Sequence, residues 1–275
     1  MALTHKTIVV PTWRLDELDS IIDAFEGRVA DTVHRQSIKD QDDYLLLVLR
    51  TSGKALVTMR EILTLAVAGF PDGALSLARN LYEQFITLYF LNQKHALDAG
   101  EFDAYISAYY ASGELQRLHA LEYEATYCTE NKKKAERLNQ EKKQLKDLHP
   151  TIKNGDYGWT GCGNFSRLCK YVREQEESDT RRWLSLLHLA YKRSCVSLHA
   201  NALGNRIRLG DDWDFSGIDT SAHIKGHGLP LWLATCSFIL IAGITCEELE
   251  IDFEPFKEKL NELAVFYQSH QKDDS

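Results

Sequence analysis

Proline and glycine are scarce in this chain, 5 and 16 among 275 residues, and long stretches contain neither. Too little turn chemistry is present for a many-stranded sheet, so helices are the default. The six cysteines, Cys128, Cys162, Cys169, Cys195, Cys236 and Cys246, form no C-x-x-C pair, and neither a zinc ribbon nor a disulfide ladder is implied. The opening stretch, MALTHKTIVVPTW, lacks the charged start and apolar core of a secretory signal, which leads us to expect a reduced cytoplasmic setting. Positive net charge is missing too: the formal value of −8 argues against coating duplex DNA through the overall field. No G-x-x-x-x-G-K-[ST], G-x-G-x-x-G or G-x-S-x-G occurs, so P-loop hydrolysis, Rossmann-type hydride transfer and elbow-serine esterase chemistry drop out.

What is present is enough for a substantial core: 44% apolar residues, 10% of all residues being aromatic. The expectation is all-α, a single multi-helix bundle domain over residues 1–275 with two long irregular loops. Apolar periodicity predicts helices over 13–39, with Leu15, Leu18, Ile22, Phe25 and Val29 on one stripe, over 43–68 and over 74–92. Between the last two, Phe70-Pro71-Asp72-Gly73 reads as a tight turn in which Asp72 caps the helix that follows. A Tyr-rich helix over 101–128 and a basic segment to residue 148 predict an antiparallel hairpin, with residues 129–148 as its basic arm. Residues 149–163 hold four glycines and a proline and read as the first loop; helices resume over 165–172 and 179–200. The second loop, 204–228, carries Asp211, Asp212, Trp213, Asp214 and the pair His223-x3-His227, which Gly226, Gly228 and Pro230 disqualify as a helical metal site. No charged residue occurs over 226–246. Pro230, Thr235, Ser237, Gly243 and Thr245 dilute that run and it has no basic flank, so a buried core or interface helix is expected rather than a membrane span. A last amphipathic helix is expected over 247–270.

Local charge departs from the global value. Lys132, Lys133, Lys134, Arg137, Lys142, Lys143 and Lys146 meet only Glu136 and Glu141, and one-sign blocks of this kind serve as solvated faces or as surfaces for RNA. In the third helix, Arg79 and Glu83 stand four apart in the weaker orientation for a local pair, which suggests partners on another helix. Near the end of the 179–200 helix, Arg193 and His199 form an R-x5-H spacing. An imidazole can move the proton of a ribose 2′-hydroxyl, and a guanidinium can neutralise a phosphorane, so this pair suffices to cleave RNA without a metal. On one continuous helix the two are about 240° and roughly 9 Å apart, so a helix break near Asn201 and Gly204, or two chains each lending a residue, is required. His188, Lys192, Cys195 and His199 do share a face, but a single helix offers a line of ligands, not a tetrahedron.

Residues 73–83 (GALSLARNLYE), Tyr157-Gly158-Trp159-Thr160-Gly161 leading into Phe165-Ser166-Arg167-Leu168, and Tyr191 with the approach to His199 resemble a bacterial helical family of unknown function with an R-x-x-Y-E helix motif. That family is similar in layout to the HEPN superfamily, and the resemblance covers roughly residues 43–204. It implies an R-x4-6-H site on Arg193 and His199, joined across a homodimer. Ser194 stands where such motifs commonly carry Asn, Asp or His. The resulting expectation is a metal-independent endoribonuclease, without cofactor or membrane association, acting as a toxin or phage-defence effector. Arg193 and His199 are the catalytic residues, with Arg79, Tyr82, Glu83, Ser194 and Asn201 in support. Lys132, Lys133, Lys134, Arg137, Lys142 and Lys143 would hold RNA. A non-catalytic helical module that binds a nucleotide, or a protein partner such as an antitoxin, is the alternative; a metal-dependent hydrolase is the third reading.

Overall fold

The computed structural model describes residues 14–35, 43–97, 99–154, 156–198 and 226–270. The protein is all-α. Among the described residues there are nine α-helices and no strand: α1 Leu15–Arg35, α2 Asp43–Val67, α3 Pro71–Leu97, α4 Ala99–Tyr123, α5 Lys132–Leu148, α6 Phe165–Glu174, α7 Ser178–Leu198, α8 Gly228–Glu248 and α9 Glu254–Ser269. They fall into two compact units, one formed by the described residues up to Leu88 with those from Arg182 onward, the other by Tyr89–Arg181.

In the first unit the charge-free run became α8, a helix buried on almost every side that packs against α2 and α9. A helix that is apolar all round has no face to offer water, so it ends in the core. By length and composition it is also long enough to cross a membrane, but its surface is covered by the rest of the fold. Phe25 of α1 reaches this core, edge-on to Phe238 at 5.4 Å and to Phe256 at 5.8 Å between ring centroids. One polar contact lies inside it: the hydroxyls of Ser52 on α2 and Thr245 on α8, both buried, meet each other.

The turn expected at Phe70–Gly73 lies earlier in the chain. Gly69 takes the left-handed conformation (φ 76°), and the Phe70 amide reaches back to the Leu65 carbonyl at 2.8 Å, closing α2 with a C-terminal cap. Pro71 then opens α3, because the first helical position needs no amide hydrogen, and Asp72 lies in the first turn where the helix dipole favours an acid. Gly73 is thus helical, and a Cβ there would stand 3.2 Å from Leu65 of α2. The last helix also starts later than expected: α8 continues through Glu248, and the Asp252 carboxylate accepts from the Glu254 amide ahead of α9.

In the second unit α4 ends in a π-turn, Glu124–Cys128, after which Glu130 (φ 48°) and the Asn131 side chain, accepting from the Lys134 amide, start α5. Leu118, Ala125 and Leu138 form the buried seam of the pair, with Leu121, Ala135 and Leu145 against it. Lys142 meets Glu122 while Leu138 joins Ala125, so α5 returns antiparallel to α4, as the sequence led us to expect. The Gly-rich 149–163 stretch is more ordered than its composition suggests. Short 3-10 turns at Pro150–Asn154 and Gly158–Thr160 and a bridge between Tyr157 and Gly163 surround Trp159, which is buried edge-on to Phe90 and Tyr109.

Candidate functional site on α3 and α7

The polar strip of α3 faces α7. From α3 come Arg79, Tyr82 and Glu83; from α7 come His188 and Tyr191, one turn apart. The Tyr191 phenol donates to Glu83 Oε1 at 2.8 Å. Its ring lies 5.1 Å from that of Tyr82 and is stacked on His188 at 5.8 Å. Tyr82 and His188 are both buried, with the Tyr82 hydroxyl 3.4 Å from His188 Nδ1. Behind Tyr191, the Ser194 hydroxyl donates to the Tyr191 carbonyl at 2.6 Å. Burial first, and the Glu83 carboxylate second, push the ionisation of Tyr191 well above the ordinary phenol range, so it stays a proton donor at neutral pH.

Arg79 is held differently. Its guanidinium carbon lies 5.4 Å from the centroid of the Tyr191 ring, a cation–π contact, and its Nε is buried without a hydrogen-bond acceptor. Among the described residues no carboxylate stands within ion-pairing distance of it, because Glu83 is engaged by Tyr191. Burial works against its charge, but Tyr191, Cys195 and Glu83 outweigh burial and the pKa is raised. A permanent cation with a fork of N–H donors and no directly paired carboxylate suits a planar or tetrahedral oxyanion such as phosphate.

The other expected site residues are distributed as follows. Ser194 is buried on the inward face of α7, whereas Lys192 and Arg193 are exposed. Arg193 is two positions from Tyr191, about 200° around the helix, so it points away from the Arg79 cluster. His199 and Asn201 lie outside the described residues, as does His223. His227 is buried at the start of α8, where its carbonyl accepts from the Leu231 amide. The helical ligand line is divided, since His188 faces Tyr82 and Tyr191 while Lys192 faces solvent. Among the described residues no three His, Cys, Asp or Glu side chains group as metal ligands. On α5, Lys132, Lys133, Lys134 and Lys143 are exposed, and exposed Arg137 pairs with Glu141 at 2.8 Å. Lys142 is buried, spent on Glu122 and close to His119, and belongs to the seam of the hairpin.

Sequence reasoning gave no role to Tyr191 and placed His188 on a metal-ligand face. The available signal was the partnerless polar strip on α3, which calls for a second helix with polar and aromatic groups three apart. It also missed a cluster in the second unit. There Lys94 donates to the Tyr171 hydroxyl at 3.0 Å amid the rings of Tyr105, Tyr171 and Phe90, and Tyr89 and Gln93 both donate to Glu176 at 2.8 and 2.6 Å. These contacts tie the C-terminal half of α3 to α6 and the residues after it.

Fold and site together define a helical protein that presents, between two helices, an aromatic-backed guanidinium with no directly paired carboxylate. The chain belongs to the family of unknown function DUF5677, whose profile matches residues 45–216, spanning both Arg79 and the Arg193 to His199 stretch. No curated protein and no solved structure matches it.

Proposed function

We propose that this chain is a metal-independent endoribonuclease of the HEPN type that acts as a toxin or phage-defence effector in the cytoplasm, as a homodimer. The observation that supports it is Arg79: a half-buried guanidinium without a carboxylate is a place prepared for an anion, and a phosphodiester supplies one. In this reading His199 takes the proton of a 2′-hydroxyl and returns one to the leaving 5′-oxygen, and Arg193 carries the charge that builds on the phosphorane. Since Arg193 is turned away from Arg79 within one chain, this reading has the two share a phosphate across the homodimer, where Arg79, braced by Tyr191, Tyr82 and Glu83, fixes it. The products are a 2′,3′-cyclic phosphate and a 5′-hydroxyl.

A second reading is favoured by one observation, the outward direction of Arg193: a non-catalytic module that binds a nucleotide at Arg79. One experiment separates them. Purified protein is incubated with total RNA in EDTA, and the ends are analysed. Cleavage to cyclic phosphates that His199→Ala abolishes, and that Arg79→Ala lowers on the order of 10²-fold or more, supports the nuclease. Loss of cleavage in chelator alone points to metal-dependent hydrolysis. Nucleotide binding lost in Arg79→Ala, with intact RNA throughout, supports the module.

A further inference from the structure

The end of the α4–α5 hairpin carries two features that its own stability does not explain. Tyr123 and Tyr127, on the last turn of α4 and in the π-turn, are 64% and 70% exposed, with ring centroids 4.8 Å apart and planes inclined at 45°. Large rings are rarely left so open without a contact to make. Immediately across the reversal, Lys132, Lys133 and Lys134 occupy the first turn of α5, all exposed, with no acid in that turn and no ion-pair partner among the described residues. Three cations at the positive end of a helix repel its dipole, so helix stability is not the motive for placing them there. Glu124, Glu130 and, one turn into α5, Glu136 are the exposed acids beside them, while Glu122 is neutralised by Lys142.

We infer that this tip binds unpaired RNA, a base lying against Tyr123 and Tyr127 and the flanking phosphates against Lys132, Lys133 and Lys134. The inference rests on the reading of RNA as the ligand and adds its class: single-stranded, because only an unstacked base offers its face to an aromatic ring. Every base has such a face, so the tip contributes affinity with little sequence preference, and charge complementarity sets its salt dependence.

The test measures anisotropy of fluorescein-labelled U12 RNA, alone and annealed to A12, in EDTA, on the full chain carrying His199→Ala so that the probe stays intact. Adding Tyr123→Ala with Tyr127→Ala should weaken U12 binding at least about fivefold, and Tyr→Phe at both positions should restore it. Replacing all three lysines by alanine should flatten the slope of log affinity against log salt by about 2. Duplex should bind more weakly than U12, and the tyrosine changes should leave duplex affinity unaltered. Absence of RNA binding in the parent overturns the inference, as does a tyrosine double variant that binds U12 as tightly as the parent. Cleavage by wild type in EDTA is scored separately. If it persists while the tip variants bind normally, the nuclease stands and the tip falls. If tip-dependent binding occurs without cleavage, the tip stands and the nuclease falls.

Discussion

Replacing Tyr191 by phenylalanine removes one oxygen from the centre of the α3–α7 cluster and nothing else. The ring remains, so the stacks on Tyr82 and His188 and the contact with Arg79 survive. What is lost is the 2.8 Å hydrogen bond to the half-buried Glu83 carboxylate, together with the polar interaction of the hydroxyl with Arg79. Bonds to charged acceptors contribute about 1.5–3 kcal/mol, and partial solvent access at Glu83 lowers the expected cost to about 1–2 kcal/mol. For a chain of this size that corresponds to a fall of about 2–8 °C in Tm. Released from the phenol, Glu83 is free to turn toward Arg79 one helical turn earlier and to pair with it directly. Anion binding should therefore weaken in Tyr191→Phe, while Glu83→Gln, which still accepts the phenol proton, should retain it. Thermal melts of wild type, both single variants and the double variant give the coupling energy directly. A Tyr191→Phe protein that melts with wild type, or a coupling below about 0.3 kcal/mol, would refute the account of the cluster.

Lys142 is expected to matter for folding rather than for ligand. Lys142→Ala should cost about 1–3 kcal/mol by stranding Glu122, whereas Lys142→Met combined with Glu122→Leu should fall much closer to wild type in urea melts. Because the hydrogen bond from Lys142 holds the Glu122 carboxyl below its ordinary value, this contribution is present at neutral pH and disappears as pH falls below about 4, a loss that the paired replacement should abolish. In the alkaline direction, folded-state values raised for Tyr89, Tyr191 and Tyr267 mean the unfolded chain loses those protons first. Stability should drop as pH rises past about 10, measurable as a falling Tm. Cys128 is exposed and should react with a thiol reagent at pH 8. Buried Cys169 and Cys236 should react only after denaturation, as should Cys246, whose thiol burial and the Asp252 carboxylate push up to about 12.

The helices were legible wherever composition alone dictates burial. A charge-free run of that length can only be core or membrane, and α8 took the first course; the Leu18, Ile22 and Phe25 spacing likewise specified the inner face of α1. Helix ends were less legible where residues have two uses. Pro71 and Gly73 read as a turn, yet proline suits a helix start and glycine a close helix crossing, and only Gly69 marks the reversal. The partners of the candidate site were hidden for a different reason. Glu83 and Tyr191 are 108 positions apart, and no local rule pairs them. A strip of polar residues on an apolar helix announces that a partner exists and leaves its identity to the tertiary fold. Lys142 was misleading in the same way, since its six basic neighbours suggest a surface role and only the antiparallel return of α5 brings Glu122 to it.

The meeting of Ser52 with Thr245 solves a problem that α8 creates. A cylinder coated uniformly in hydrocarbon has no preferred azimuth, and sliding it by a turn or spinning it exchanges one oily surface for an equivalent one. Such a displacement would part the two hydroxyls and leave each with the carbonyl of its own helix. Two oxygen atoms thus act as a keyway for the most featureless rod in the molecule, and a Thr245→Val chain would keep its volume while losing the mark by which it is aligned.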